Sequence, residues 1–562
     1  MDTRGRSWPR LVAINVAVFV ALVAMAEGAW RLLVPLRDSE RREAAFVAAS
    51  LAMLEPCARV EDRGGAAFIV ADEAPERQSF AFPLERDRGV ARVAVIGESS
   101  GSMLGWEMRS LVNEWPPGRR PQLLGCARPG AALEHVQLQA EEVLGYDPDV
   151  LVIVFGHNVD FEYPLDRGYL EAVLLRTRSR LLSGLAARLP SSAPRKAFTL
   201  ESRLDRFEQW LRDLAAHTHR RGVTLVLTTL TSNLWVPPRG DVAAINEPRL
   251  IEARFDYAEG RREDAIAAML ELTEDSDEPT WHFVVGVWLA RAGRLDEAAE
   301  HLRFALDAER STPSAHAPLG RDRASSAVND RIRAVAALDG VVLRDTAGAM
   351  EASAPAGMPG WDVMEDHCHL QVRVTRVEAG VVLEHALTAA GVGDEAAAGR
   401  APRQQPAPPA PADLVWVLEL VASNWRSGSD SRVALALALE RWLELHPEAA
   451  RAAVEQYLAG TGFAAQTAGG RRGELLAGLA DGYWYAGERD EARRLNALAR
   501  DHAVAAPWIQ LGLFELAEGD DGAARDAFLR ADAIDPGLAD VTSFLARLRA
   551  GAGGASSDTS RP

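Results

Sequence analysis

Lysine is almost absent from this chain. Of its 62 basic residues only Lys196 is lysine and the rest are arginine. With so much alanine beside it, this reads as the codon bias of a GC-rich genome. Basic residues are also outnumbered by 80 Asp and Glu, for a net charge of −18. That sign excludes a general nucleic-acid binder, because neutralising phosphates takes a basic surface. Cysteine is scarce too. Cys57, Cys126 and Cys368 are too few and too scattered for a disulfide framework or a zinc site of paired CxxC type. One bridge would leave one thiol over, and free, packed cysteines are the expectation. Apolar residues, by contrast, make up 48% of the 562 positions. That fraction excludes a disordered chain, and the length leads one to expect three or four structural units with buried cores.

The first residues carry Arg4, Arg6 and Arg10, and an apolar run from Leu11 to Ala26 follows, broken only by Asn15. A cleaved signal peptide would use Ala24-Met25-Ala26 as its processing site. An uncleaved signal anchor would continue through Gly28–Leu36, with Trp30 at the interface and Glu27 paired to Arg31 four residues on. The anchor, over residues 1–36, is the expectation. In both readings the arginines stay inside and the remainder is extracytoplasmic, on the periplasmic or cell-envelope side.

From residue 90 short apolar runs alternate with helical stretches. The runs are 92–96, a weaker 122–125, 149–155, 224–230 and, much later, 340–345. Their length and β-branched content predict buried parallel strands. Leu204, Phe207, Leu211 and Leu214 share one helix face, as do Val328, Ile332 and Val335, and Gly222 ends the first of these helices. Strands separated by helices predict a doubly wound α/β sheet. It is discontinuous, 90–250 and 314–392, because residues 251–313 turn all-helical. In that insert Gly260 and Gly293 lie 33 positions apart in similar Ala/Gly/acidic contexts; near the C-terminus Gly487 and Gly519 repeat at 32. Such periods resemble tetratricopeptide (TPR) repeats. A Pro/Ala-rich linker (393–413), an all-helical TPR-like domain (414–550) and a disordered tail (551–562) complete the organisation. Trp281, Trp288, Trp484 and Trp508 read as inter-helix packing.

The first run leads straight into Gly97-Glu98-Ser99-Ser100-Gly101. A serine at the carboxyl end of a parallel strand lies where α/β sheets put their sites, and a helix starting there supplies free N–H groups and a positive dipole end. Alone, the segment also fits a turn with Ser99 as a helix cap. Three later segments turn the argument toward chemistry. Gly130 follows the 122–125 run, Gly156-His157-Asn158 closes the 149–155 run, and Glu365-Asp366-His367-Cys368-His369 lies beyond the last run. Asp366 and His369, three apart, can share a turn. A nucleophile, a base with its orienting carboxylate and up to three oxyanion donors are the parts acyl transfer needs. His367 and Cys368 read as packed neighbours, His157 as a pocket-shaping or loop residue, and Ser100 and Ser102 as local hydrogen-bonders. No metal site is expected, because adjacent residues point apart and no second ligand group is visible.

Gly97-Glu98-Ser99, Gly130, Gly156-His157-Asn158 and Asp366-x-x-His369 resemble, in order and spacing, the four blocks of SGNH (GDSL-type) hydrolases. More narrowly, residues 10–390, with the Thr231–Pro238 segment, resemble membrane-anchored bacterial members that also carry TPR repeats. The resemblance implies a flavodoxin-like, three-layer fold with Ser99 as nucleophile, His369 as base and Asp366 orienting it. Ser99, Gly130 and Asn158 would form the oxyanion hole. It implies no cofactor, and a substrate carrying an ester or O-acyl group. The chain departs from the family pattern with Glu98 for Asp, with Val159 after the third-block Asn, and with no Asn before Gly130. Two alternatives stay open: an O-acyltransferase acting on an exported polysaccharide, and a scaffold that binds protein partners through its TPR-like helices while the hydrolase fold is vestigial.

Overall fold

The structure is a computed structural model that describes residues 56–71, 80–85, 89–116, 120–160, 199–238, 242–274, 276–309, 323–391, 408–424, 428–460 and 471–555. The expected anchor and most of the 393–413 linker lie outside the described residues. Among the described residues, no helix is long and apolar enough to cross a membrane.

In chain order the first elements are strands β1 (Ala58–Arg63), β2 (Ala66–Ala71), β3 (Phe80–Pro83) and β4 (Arg92–Gly97). Helix α1 (Ser99–Asn113), β5 (Gln122–Gly125), α2 (Leu133–Leu144), β6 (Val150–Val154), α3 (Leu200–Arg220) and β7 (Thr224–Thr228) follow. After a one-turn helix (Val242–Ile245) come four longer ones: α4 (Pro248–Ala258), α5 (Arg262–Glu274), α6 (Pro279–Arg291) and α7 (Leu295–Asp307). The chain then returns through α8 (Ser326–Ala336), β8 (Val341–Arg344), α9 (Thr346–Ser353) and α10 (Val372–Ala389). It ends in α11 (Pro411–Asn424), α12 (Gly428–Leu445), α13 (Pro447–Ala459), α14 (Arg471–Tyr485), α15 (Arg489–Arg500), α16 (Ala506–Ala517), α17 (Asp521–Ile534) and α18 (Ala539–Ala555).

The α/β expectation holds. Five parallel strands pair in the order β5-β4-β6-β7-β8. Counted among themselves this is 2-1-3-4-5, the order of a doubly wound sheet whose crevice opens beyond the first and third strands. Every residue of β4 and β6 is buried, which is why both read as unbroken apolar runs. Leu204, Phe207, Leu211 and Leu214 of α3 and Val328, Ile332 and Val335 of α8 face the same core.

Three findings correct the sequence reading. The first is a small antiparallel sheet, β1-β2-β3, that precedes the parallel one. Its strands are short and β1 exposes most of its residues, so no periodicity announced it. Second, Cys57 and Cys126 are not free but disulfide-bonded across 69 positions, and only Cys368 is a free, buried thiol. The bridge joins the residue before β1 to the loop after β5, where the Glu142 carboxylate also accepts the N–H groups of Cys57 and Ala58 at 3.0 Å each. Third, the segment expected to be disordered after residue 550 begins as helix, since α18 runs to Ala555.

The helical expectation holds in its turns. Gly260, Gly293, Gly487 and Gly519 each end a helix with positive φ, between 80° and 88°, a conformation only glycine adopts without strain. Trp288 stacks on Tyr257 at 4.5 Å and Trp484 on Phe514 at 3.8 Å, as inter-helix packing requires. The two helical segments, separate in sequence, share one core: residues of α4–α7 and of α11–α16 belong to a single buried cluster. Ile251 and Phe255 of α4 join a second cluster with α16–α18. Arg291 of α6 grips Glu440 of α12 with two bonds of 3.0 and 2.7 Å, and Arg254 meets Asp540 at 2.6 Å.

Candidate active site

The site starts where β4 runs out. Gly97 has φ +141°, and a Cβ there would sit 1.9 Å from the Val154 carbonyl oxygen, so no other residue fits. Glu98 follows in extended conformation as the residue before α1, and it does not cap its own helix. Its fully buried carboxylate instead crosses to the end of β6. There it accepts the N–H groups of Gly156 at 3.3 Å, His157 at 2.9 Å and Asn158 at 2.9 Å. Burial pushes this carboxyl up to about 7, against the pull of those three donors. Ser99 is thereby fixed as the first residue of α1, at the positive end of a fifteen-residue helix.

The opposing residues come from the loop between α9 and α10. His369 lies 270 positions from Ser99, yet its Nε2 is 2.7 Å from Ser99 Oγ. Its Nδ1 is 2.7 Å from Asp366 Oδ2. Asp366 Oδ1 accepts the backbone N–H groups of Cys368 at 2.8 Å and His369 at 2.7 Å, which locks the carboxylate and imidazole into one turn. With the imidazole neutral, Nδ1–H donates to Asp366 and Nε2 accepts from the serine hydroxyl. Burial alone would raise the Asp366 carboxyl, but the imidazoles of His369 and His367 outweigh it and hold the group well below the usual carboxylate range. Burial would likewise lower His369, but Asp366 first, then Glu365 and Glu98, raise it to about 9.

Two residues that sequence reasoning passed over hold this loop. Asn233, on the segment after β7, donates its side-chain N–H to the Asp366 carbonyl at 3.0 Å, and its backbone N–H to the His367 carbonyl at 3.0 Å. The buried Arg323 in turn donates to the carbonyls of Asn233 and Val236 at 3.1 Å each while bonding Glu309 at 2.9 Å. The Thr231–Pro238 resemblance pointed at the segment without its role. Glu98 stood in the sequence only as a departure from a pattern.

On the other side of Ser99, the loop after β5 bonds to the end of β4, with Arg128 N–H donating to the Gly97 carbonyl at 3.0 Å. Gly130 turns this loop with φ +77°. The Asn158 side-chain amide donates to the Ala131 carbonyl at 3.0 Å, so the two loops expected to carry oxyanion donors are bonded to each other. Ser100 and Ser102 do not reach His369 in any bond recorded among the described residues; Ser100 Oγ is buried and unpaired. His157 is buried and its Nδ1 accepts the Ala324 N–H at 2.8 Å, a structural tie to the start of α8. His367 is half-buried, its Nδ1 3.9 Å from Asp366. Asp366, Cys368 and His369 bring one donor atom each within 4.8 Å of one another, the one such group among the described residues. The carboxylate and imidazole in it are already spent on each other.

No family model, curated protein or solved structure matches this chain. What can be said of function therefore comes from the arrangement itself: a hydroxyl, an imidazole and a carboxylate in line at the switch point of a parallel sheet.

Proposed function

We propose that this protein is a serine hydrolase that cleaves an ester or O-acyl group, of the SGNH type. The observation that carries the reading is the continuous relay Ser99 Oγ, His369, Asp366, with both links at 2.7 Å. A contact between hydroxyl and imidazole across 270 positions, with the second ring nitrogen on a buried carboxylate, fits the geometric criteria for an activated nucleophile.

In this reading Ser99 Oγ attacks the acyl carbon as its proton passes to His369 Nε2. Asp366 keeps the ring in the right tautomer and stabilises the imidazolium. Negative charge gathers on the former carbonyl oxygen. The Ser99 backbone N–H at the helix terminus, a backbone N–H at Gly130 and the second hydrogen of the Asn158 amide would receive it, each donor worth about 2.7–4 kcal/mol of barrier. The C–O bond to the alcohol then breaks, and His369 returns the proton to that oxygen. Water, deprotonated by the same imidazole, attacks acyl-Ser99, and the acid leaves with Ser99 regenerated.

The Cys57–Cys126 disulfide supports an extracytoplasmic location, since such bonds persist in oxidising compartments. It agrees with an N-terminal anchor that leaves the remainder outside. The glycine-turned helical hairpins support the TPR-like reading of residues 251–313 and 414–550. The test is covalent capture. A fluorophosphonate probe at pH 8–9 should add one adduct to the folded protein, mapped to Ser99 by peptide mass spectrometry and lost in Ser99→Ala. No adduct on the folded wild type over that range would overturn the reading.

A further inference from the structure

The turn that carries Asp366 and His369 also carries a thiol that the proposed chemistry does not use. Neighbouring residues ordinarily point apart. Here Asp366 Oδ1 accepts the N–H groups of both Cys368 and His369, and the tight turn gathers all three side chains. One carboxylate oxygen, the Cys368 sulfur and one imidazole nitrogen lie within 4.8 Å of one another. Cys368 Sγ is 3.6 Å from His369 Nδ1. A tetrahedral zinc ion, about 2.3 Å from sulfur and about 2.0–2.1 Å from nitrogen, holds those two atoms about 3.5–3.6 Å apart. The Asp366 carboxylate, at 2.7 Å from the same nitrogen, would have to withdraw by about 0.7 Å. Room for a fourth ligand adjoins the sulfur: Cys368 lines a cavity of about 40 Å³ with Ser100 and Thr231, enough for a water. The hydroxyls of both residues are buried with no hydrogen-bond partner among the described residues, and Thr231 is only 5% exposed. The imidazole keeps 20% of its side chain in solvent, which gives a cation its way in. The buried Glu98 and Glu365 carboxyls act on the same imidazole and, when ionised, favour a cation beside it.

We propose that this turn is a binding site for a thiophilic divalent cation of the zinc type, held by the Asp366 carboxylate, Cys368 Sγ and His369 Nδ1, and that its occupancy switches the relay off. Thiolate and imidazole select zinc-like ions over magnesium and calcium, which prefer oxygen ligands. The bond that joins Asp366 to His369 is a single Nδ1 proton, and the cation takes its place. Binding also expels the thiol proton to solvent, because only the thiolate is a ligand. A charged ring gives up its Nδ1 proton and keeps the one on Nε2. A neutral ring gives up the same proton and takes one from solvent at Nε2. In both cases Nε2 ends as a donor. It then faces Ser99 Oγ across 2.7 Å with an N–H and cannot accept the serine proton. The inhibition rests on the hydrolytic reading; the binding of the cation does not.

Cys57 and Cys126 are bonded to each other, so Cys368 is the chain's one thiol and a thiolate-to-metal absorption band can report no other residue. Full-length wild type, Cys368→Ala and His369→Ala are titrated with Co²⁺ and followed by ultraviolet absorption. Wild type should develop the thiolate-to-cobalt band at sub-millimolar Co²⁺ and lose it when Zn²⁺ is added as competitor. His369→Ala should need at least about tenfold more Co²⁺. Fluorophosphonate labelling of wild type and Cys368→Ala is then timed with and without metal. Saturating Zn²⁺ should slow the wild type at least about 100-fold, the worth of a general base, a chelator should restore the rate, and Mg²⁺ should leave it unchanged. In Cys368→Ala the ratio of rates with and without Zn²⁺ should stay near one at the concentration that half-inhibits wild type. Wild type that shows the band but never labels would sink the hydrolase reading and keep the metal site. Folded wild type without the band at sub-millimolar Co²⁺, His369→Ala binding Co²⁺ as tightly as wild type, a bound cation that leaves labelling unslowed, or equal slowing by Zn²⁺ in wild type and Cys368→Ala would each overturn the proposal.

Discussion

Replacing Glu98 by glutamine separates two things that this buried carboxylate does at once. In the native protein it accepts three backbone donors from the end of β6, one oxygen taking Gly156 and His157 and the other Asn158. A glutamine keeps the first oxygen but turns an NH2 group toward Asn158 N–H, donor against donor. Leaving that buried N–H without an acceptor costs about 1–3 kcal/mol at any pH. The second effect depends on pH and has the opposite sign. Burial raises the native carboxyl from its ordinary 4.5 to about 7. Between those values the native state holds a proton that the unfolded chain has lost. Stability therefore falls as pH rises through that window, at about 1.4 kcal/mol per unit. From pH 5 to pH 8 wild type should lose about 2.5 kcal/mol that the untitratable variant keeps. Urea denaturation of both proteins at pH 5 and pH 8 reads this quantity, because the other titrating groups are common to the two, His369 alone among them sensing the lost carboxylate. The variant should be the less stable protein at pH 5 and should draw level with or pass wild type at pH 8. A stability difference that stays constant with pH, or that grows in favour of wild type toward pH 8, would refute the account of Glu98 as a desolvated clamp.

On the proposed hydrolytic reading, the pH dependence of turnover follows from His369. Its imidazole must be neutral to accept the serine proton and is raised to about 9, so kcat/KM for a soluble ester should climb about tenfold per pH unit from 6 to 8 and level off near 9. Asp366→Asn should lower that plateau by about 10⁴, since the ring loses both its tautomer and its counter-charge. Opening the Cys57–Cys126 bridge with paired serine substitutions should cost about 4 kcal/mol, from the 69-residue separation it closes, measured by denaturant midpoint. Arg323→Met should cost about 3–5 kcal/mol in the same measurement, because it breaks the buried ion pair with Glu309, whose side chain is only 3% exposed.

Much of this was legible in the residues, and the boundary is physical. β4, β6 and β7 announced themselves because strands buried on both faces must be apolar throughout. Ser99, Asp366 and His369 were found because their chemistry restricts residue type at fixed places relative to strand ends. The repeat glycines were found because a left-handed turn tolerates little else. What escaped is what depends on partners distant in sequence. Glu98 binds amides fifty-eight to sixty positions away, and amides carry no residue-type signature. Asn233 looks like any loop asparagine until its partner carbonyls are in view. Cys57 and Cys126 are ordinary cysteines until β1 brings one against the loop after β5. The shared core of the two helical segments was hidden for the same reason, because each has an amphipathic pattern complete in itself.

That shared core bears on how the chain is made. Synthesis delivers α4–α7 well before the helices that cover them. At usual elongation rates roughly 10–35 seconds separate the end of α7 from the end of α14. Over that interval the apolar surface around Phe283, Leu289 and Leu302 lacks the helices that share its core. A nascent chain of this design calls for a holdase. Truncations ending between residues 391 and 485 should aggregate even though they contain every residue of the Ser99 relay.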